Sequence, residues 1–222
     1  SFTFDTNDAA YDDLDAGDTQ IETVTYSVTD SNGAVGTGNF AIVITGTNDA
    51  PVATYVTAQA VNEDAAPITD TLTATDVDAD DTQTFSLDDD PAIAGLTLAG
   101  DTWTFDASDL AYQSLADGET LPITVNYTVT DSQGASDSES FVITVTGTND
   151  APVATFSAQQ DVDEGSGAAS EQLTATDVDN GDEANLVFAD TTALAIAGLS
   201  INGDGSFTFD TNDAAYDDLD AG

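Results

Sequence analysis

The sequence predicts an all-β protein of antiparallel β-sandwich domains laid end to end, about seven strands in each. Three observations predict it. Short apolar runs alternate at period two with Thr, Ser and Asn, as in half-buried strands. Turn residues interrupt these runs roughly every ten residues. A nine-residue stretch, Gly46-Thr47-Asn48-Asp49-Ala50-Pro51-Val52-Ala53-Thr54, recurs intact as Gly147 to Thr155, 101 residues further on (147 − 46). About a hundred residues is the usual size of one sandwich.

Residues 1–17, SFTFDTNDAAYDDLDAG, return unchanged as residues 206–222, an offset of 205 (206 − 1). A weaker copy lies between them. Thr104-Phe105-Asp106, Tyr112, Leu115 and Gly118 match Thr3-Phe4-Asp5, Tyr11, Leu14 and Gly17 at the offset of 101. The chain therefore reads as a window on a tandem array. Residues 1–47 are expected to be the C-terminal half of one domain, 48–148 a complete domain, and 149–222 the N-terminal part of the next.

Within 48–148, strands are expected near 52–61, 68–75, 83–87, 95–98 and 102–106. Two longer alternating runs follow, carrying Val125, Tyr127 and Val129, then Phe141, Ile143 and Val145. Asp131-Ser132-Gln133-Gly134 reads as the turn between them, with Asp30-Ser31-Asn32-Gly33 as its counterpart in the first segment. Asp106 to Leu115 is the one helix-like piece, one or two turns capped by Asp106, with Tyr112 and Leu115 on one face. Trp103 and the Tyr/Phe set read as core.

Composition narrows the function. The chain has 43 Asp plus Glu and no Lys, Arg or His, a formal charge of −43. No side-chain salt bridge can form, and self-repulsion opposes compaction unless counterions bind. Nucleic acid is excluded as a partner, since nothing neutralises phosphate. Direct membrane insertion is not expected: there is no run of eighteen apolar residues. Cys and Met are absent, so there is no thiol chemistry and little to oxidise. Catalysis lacks the usual groups, since a triad, a thiol nucleophile, a Schiff base and a P-loop all need His, Cys or Lys. A carboxylate pair remains available, but such pairs arise by chance throughout so acidic a chain. The chain is read as no enzyme.

Four acidic places could carry chemistry. Leu72-Thr73-Ala74-Thr75-Asp76-Val77-Asp78 recurs intact as Leu173 to Asp179. Carboxylates on alternate residues at a strand end can converge on a hard cation that takes six to eight oxygens. Asn48-Asp49 and Asn149-Asp150 lie at the repeated hinge, where turn formation is the plain alternative. Glu63 follows Val61-Asn62, as Glu164 follows Val162-Asp163. Asp18 and Glu119 follow Leu-x-x-Gly.

These places resemble the cadherin pattern and, more closely, the cadherin-like VCBS repeats of giant RTX-type bacterial surface adhesins, with Ig-like extender domains. The resemblance implies calcium bridging at junctions between consecutive domains. It places Glu63, Glu119, Asn149, Asp150, Asp177 and Asp179 at one junction. Asp18, Asn48, Asp49, Asp76 and Asp78 would serve the other. The linker departs from the cadherin D-x-N-D-N-A-P: Gly replaces the leading Asp and one Asn is missing, which implies fewer ions per junction.

The expected function is a structural extender of a secreted, cell-surface adhesin or fibre, stiffened by Ca2+ and serving cell adhesion or biofilm formation. Its partners are neighbouring repeats of the same chain, or other copies in a filament. The alternatives are a self-assembling filament subunit completed by its neighbour, and a carbohydrate- or protein-binding module.

Overall fold

The computed structural model describes residues 2–6, 8–78, 80–89 and 91–217. The end of the second seventeen-residue copy, 218–222, lies outside the described residues. The chain is all-β: sixteen strands and one four-residue 3-10 turn, Asp182–Asn185, make up the described elements. It divides into two compact units, one of residues 1–61, 66–107 and 122–144, the other of 62–65, 108–121 and 145–222.

The first unit opens on a hairpin, β1 (Thr19–Thr29) and β2 (Val35–Thr45), paired in antiparallel register from Thr19 opposite Thr45 to Thr29 opposite Val35. Seven shorter strands follow: β3 (Val52–Ala53), β4 (Gln59–Asn62), β5 (Ile68–Thr71), β6 (Ala74–Thr75), β7 (Thr84–Leu87), β8 (Leu96–Ala99) and β9 (Thr102–Phe105). Then come β10 (Thr120–Thr130) and β11 (Ser136–Thr146). The expected strands at 52–61 and 68–75 are each broken in two, as β3/β4 and β5/β6. The break lets one strand serve two sheets: β3 pairs with β6, while β4 joins the order β4-β11-β10-β7. With β3/β4 and β5/β6 each counted as one interrupted strand, the nine strands β3 to β11 make the expected seven.

The second sheet has the order β5-β9-β8. The two sheets meet through aromatic rings. Trp103 lies 5.2 Å and Tyr55 5.0 Å from Phe141, centroid to centroid, and Tyr55 stands edge-on to Trp103 at 6.4 Å. Val125, Val129 and Ile143 point between the sheets and are fully buried, as their alternation predicts. Tyr127 is buried too. Its hydroxyl accepts the Tyr55 N–H at 2.9 Å and donates to the Tyr55 carbonyl at 3.0 Å, holding the first strand where it changes sheets.

The expected helix over 106–115 is not formed. Its place is taken by successive turns, with Tyr112 N–H on Asp109 O and Leu115 N–H on Tyr112 O. Tyr112 and Leu115 are buried as expected, so the shared face survives without the helix.

The second unit carries β12 (Val153–Ala154) paired with β14 (Ala175–Thr176), and the sheet β13-β16-β15, of Ala168–Gln172, Ser206–Asp210 and Leu199–Ile201. Its core repeats part of the ring cluster, with Phe156 edge-on to Phe207 at 5.9 Å.

Candidate metal centre

Glu63 is carried past the end of β4 by one more ladder bond, its N–H donating to Thr146 O at 3.0 Å. Asp64 beyond it turns the chain in the left-handed region, at φ 60. The Glu63 side chain is 1% exposed. One oxygen, Oε1, accepts the Thr148 N–H at 2.6 Å; the other, Oε2, is buried with no hydrogen-bond partner.

Asp179 reaches the same place from the end of β14. Its Oδ2 accepts the Asp150 N–H at 2.8 Å, and its own N–H donates to Asp177 Oδ1 at 3.1 Å. The hinge Asn149 folds its amide onto Asp150 O at 2.6 Å. One carboxylate oxygen from each of Glu63, Asp150 and Asp179 lies within 4.8 Å of the other two. Glu63 Oε2, Asp150 Oδ2 and Asp179 Oδ1 are all buried without partners. Asp177 is tied in through the Asp179 backbone. Glu119 is not part of the cluster: it is exposed, and its Oε2 accepts the Ala116 N–H of its own turn at 3.1 Å.

Burial pushes the pKa of Glu63 above its ordinary carboxylate value, opposed by the Thr148 N–H and reinforced by Asp150, Asp64 and Asp179. Asp150 is raised likewise, by burial and then by Asp64, Asp179 and Asp177. Groups raised in this way favour the folded form while protonated. That contribution is present in acid and is lost as pH rises through the raised values. Ionisation of Glu63 and of Asp150 is thus opposed by burial and by the neighbouring carboxylates, and the chain has no cationic side chain to offset it.

A related arrangement stands in the first unit. Asp78 Oδ2 accepts the Asp49 N–H at 2.7 Å, and Asp78 N–H donates to Asp76 Oδ1 at 3.2 Å. Asn48 folds its amide onto Asp49 O at 2.7 Å and also donates to Asp131 Oδ2 at 2.9 Å. Asp76, Asp81 and Asp131 each place one carboxylate oxygen within 4.8 Å of the others. Asn48 Oδ1, Asp76 Oδ2, Asp78 Oδ1 and Asp81 Oδ2 are buried and unpartnered. Asp18 belongs to neither cluster; its side chain is exposed and its carbonyl receives the Gly46 N–H at 2.9 Å.

Sequence reasoning missed Asp81 and Asp131. Asp131 looked complete as a turn former, and it is one: Oδ1 accepts the N–H groups of Gln133, Gly134 and Ala135. The Asn48 amide, followed by these backbone donors, holds its carboxyl below the usual range. Asp81 accepts Ser132 Oγ at 2.6 Å and Gln133 Nε2 at 2.9 Å, which brings it to the same turn.

The glycine that replaces the linker's leading Asp has a steric cause. A Cβ on Gly147 would collide with the carbonyl oxygens of Leu115 and Ala116, and one on Gly46 with those of Leu14 and Asp15. The backbone must pass there, pinned by Gly147 N–H on Glu119 O at 2.8 Å and Gly118 N–H on Gly147 O at 3.1 Å.

Residues 48–144 match the family model of the Bacterial Ig domain. This Ig-like module is the part built around Trp103, Tyr127 and Phe141. Among solved structures, the chain is similar to mouse Cadherin-23 EC22-24 at 20% identity, over 85% of this chain and 63% of that one, TM-score 0.48. It is similar to Drosophila N-cadherin EC1-4 at 16% identity, over 94% of this chain and 53% of that one, TM-score 0.40. For the Protocadherin GammaB4 extracellular domain the figures are 16% identity, 91% and 35%, TM-score 0.39. The chain thus spans between 35% and 63% of the length of these structures. No curated protein sequence matches it. No helix among the described residues is long and apolar enough to cross a membrane. An Ig-like module fits a structural or adhesive part of an extracellular protein.

Proposed function

We propose that this chain is a non-catalytic extender segment of a long extracellular bacterial adhesin or surface fibre. Ca2+ stiffens it where one repeat meets the next, and it supports cell adhesion or biofilm formation. The observation that carries this reading is the convergence of Glu63, Asp150 and Asp179, each with a buried oxygen that no protein group satisfies. A buried carboxylate oxygen without a partner is costly, and three together repel. The chain has no cation of its own to offset them. The donor set is all oxygen, from carboxylate and amide, which suits a hard ion of six to eight ligands.

At one junction Glu63, Asp150, Asp177 and Asp179 would hold the ion. At the other, Asn48, Asp76, Asp78, Asp81 and Asp131 would do so. A bound divalent ion supplies the positive charge that turns mutual repulsion into attraction. The residues supply the rest: Asp179 ties the linker through the Asp150 N–H, and Glu63 ties it through Thr148. An ion that binds the tied linker better than a loose one shifts the equilibrium toward a fixed angle.

Small-angle scattering with and without chelator tests this, with calorimetric titration of Ca2+ alongside. The expected result is a longer, narrower particle in calcium, with magnesium a poor substitute because of its smaller, stricter octahedron. The double variant Asp177→Asn, Asp179→Asn should lose the difference and keep its folded signal, since an amide oxygen still accepts the Asp150 N–H. A profile unchanged by chelation, or a double variant that still stiffens, rejects the reading.

A further inference from the structure

Glu63 enters its cluster from a tight turn. Ala65 N–H donates to Asn62 O at 3.2 Å, which closes the four residues Asn62-Glu63-Asp64-Ala65. Asp64, at the third place, has φ 60, and among the described residues it is the one non-glycine in the left-handed region. A turn that needs positive φ there takes glycine by preference, because a Cβ is strained in that conformation. The repeat of 101 residues shows the preferred solution. Asp163-Glu164-Gly165-Ser166 makes the same turn, with Ser166 N–H on Asp163 O at 3.2 Å and Gly165 at φ 69. Asp64 therefore stands in a glycine position and keeps a side chain there at a cost.

The usual local reason for an aspartate in a turn does not apply. Asp30 and Asp131 accept backbone N–H groups across their own turns. Among the described residues no hydrogen-bond donor meets the Asp64 carboxylate, and the residue is exposed.

Its charge is felt at the centre beside it. Glu63 Oε2, Asp150 Oδ2 and Asp179 Oδ1 are buried there without partners. After burial, the largest cause, the charge of Asp64 raises the Asp150 carboxyl more than that of Asp179 does, although Asp179 belongs to the cluster. Three buried carboxylate oxygens leave a hard cation of six to eight ligands incomplete. The remaining places open toward solvent, where Asp64 stands.

We propose that Asp64 is a further ligand of the Glu63–Asp150–Asp179 centre, closing on the ion from the solvent side. The assignment rests on the calcium reading of that centre and deepens it, since Asp64 lies outside every acidic motif that the chain repeats. Its effect changes sign with the ion. In the empty state Asp64 strains its turn and adds one more carboxylate to a cluster whose members already oppose one another. In the filled state it contributes an oxygen and a charge of the attractive sign. The folded form then depends more steeply on calcium than a glycine in that turn would make it.

Asp64→Gly and Asp64→Asn in the full chain test this, since both residues adopt the left-handed conformation more easily than most. Two quantities are read: the denaturant midpoint in chelator, and the Ca2+ dissociation constant by calorimetry. In chelator Asp64→Gly should unfold at a higher denaturant concentration than the parent. In calcium both variants should bind at least about tenfold more weakly at this centre, because ligand charge tunes the affinity of such sites. The binding step of this centre is the one that Glu63→Gln abolishes. La3+ in place of Ca2+ should show the larger loss, since the attraction scales with the charge of the ion. Asp13→Asn removes the same charge from another exposed position and should leave the dissociation constant unchanged. Asp64 variants that shift the midpoint but bind Ca2+ as the parent does overturn the assignment, for a turn role alone would do that. An equal loss in Asp13→Asn overturns it too, and in either case the calcium reading stands. A parent chain that takes up no Ca2+, or whose uptake is untouched by Glu63→Gln, sinks the calcium reading of this centre and the assignment with it.

Discussion

Tyr127 shows how one residue sets a strand. Its hydroxyl satisfies both backbone groups of Tyr55 inside the core. Tyr127→Phe leaves that N–H and C=O buried and unpaired, and should cost about 1–3 kcal/mol in a denaturant titration. Gly147 is fixed by a different physics, close backbone approach. Gly147→Ala should destabilise the chain by about 1–3 kcal/mol, the cost of overpacking, in chelator as much as in calcium. Both positions were visible in the sequence as an alternating aromatic and a repeated glycine. The reason each residue type is required was not, because it lies in atoms far along the chain.

At the scale of elements, the two long hairpins carry the same turn, with Asp131 and Asp30 each accepting backbone N–H groups across it. Asp131 also faces Asp76 and Asp81. Asp131→Ala should therefore lower the thermal midpoint even in chelator. Asp81→Ala, whose partners are two side chains, should act mainly by weakening calcium binding. The alternation of β10 and β11 was legible because period two is local. The helix expected over 106–115 was not formed: Tyr112 and Leu115 needed burial three residues apart, and successive turns deliver that as well as a helix does.

For the molecule as a whole, the charge of −43 with no cationic side chain opposes compaction through self-repulsion. Calcium should stabilise the folded form by mass action, by about 2.7 kcal/mol at a hundredfold excess over the dissociation constant for each site that binds only the folded form, and so raise the melting temperature. Sodium chloride, which screens without bridging, should give a shallower rise with no saturation. A calcium response no steeper than that of sodium at equal ionic strength would mean that the clusters are ordinary acidic surface.

The sequence by itself determined the all-β class, the strands of 48–148, the aromatic core and the places where acids repeat. These follow from period-two alternation and from identity at fixed offsets, which are properties of neighbouring residues and of simple counting. The tertiary structure decided which acids meet. Glu63, Asp150 and Asp179 converge and Glu119 does not, while Asp81 and Asp131 join Asp76 without any motif to announce them. That choice depends on strand pairing across eighty residues or more, as in Thr148 on Glu63 and Asn48 on Asp131. In a chain this rich in carboxylates, spacing along the sequence is too weak to single out a ligand set. Only the folded backbone, by burying some oxygens and leaving them unpaired, separates a candidate site from solvated surface.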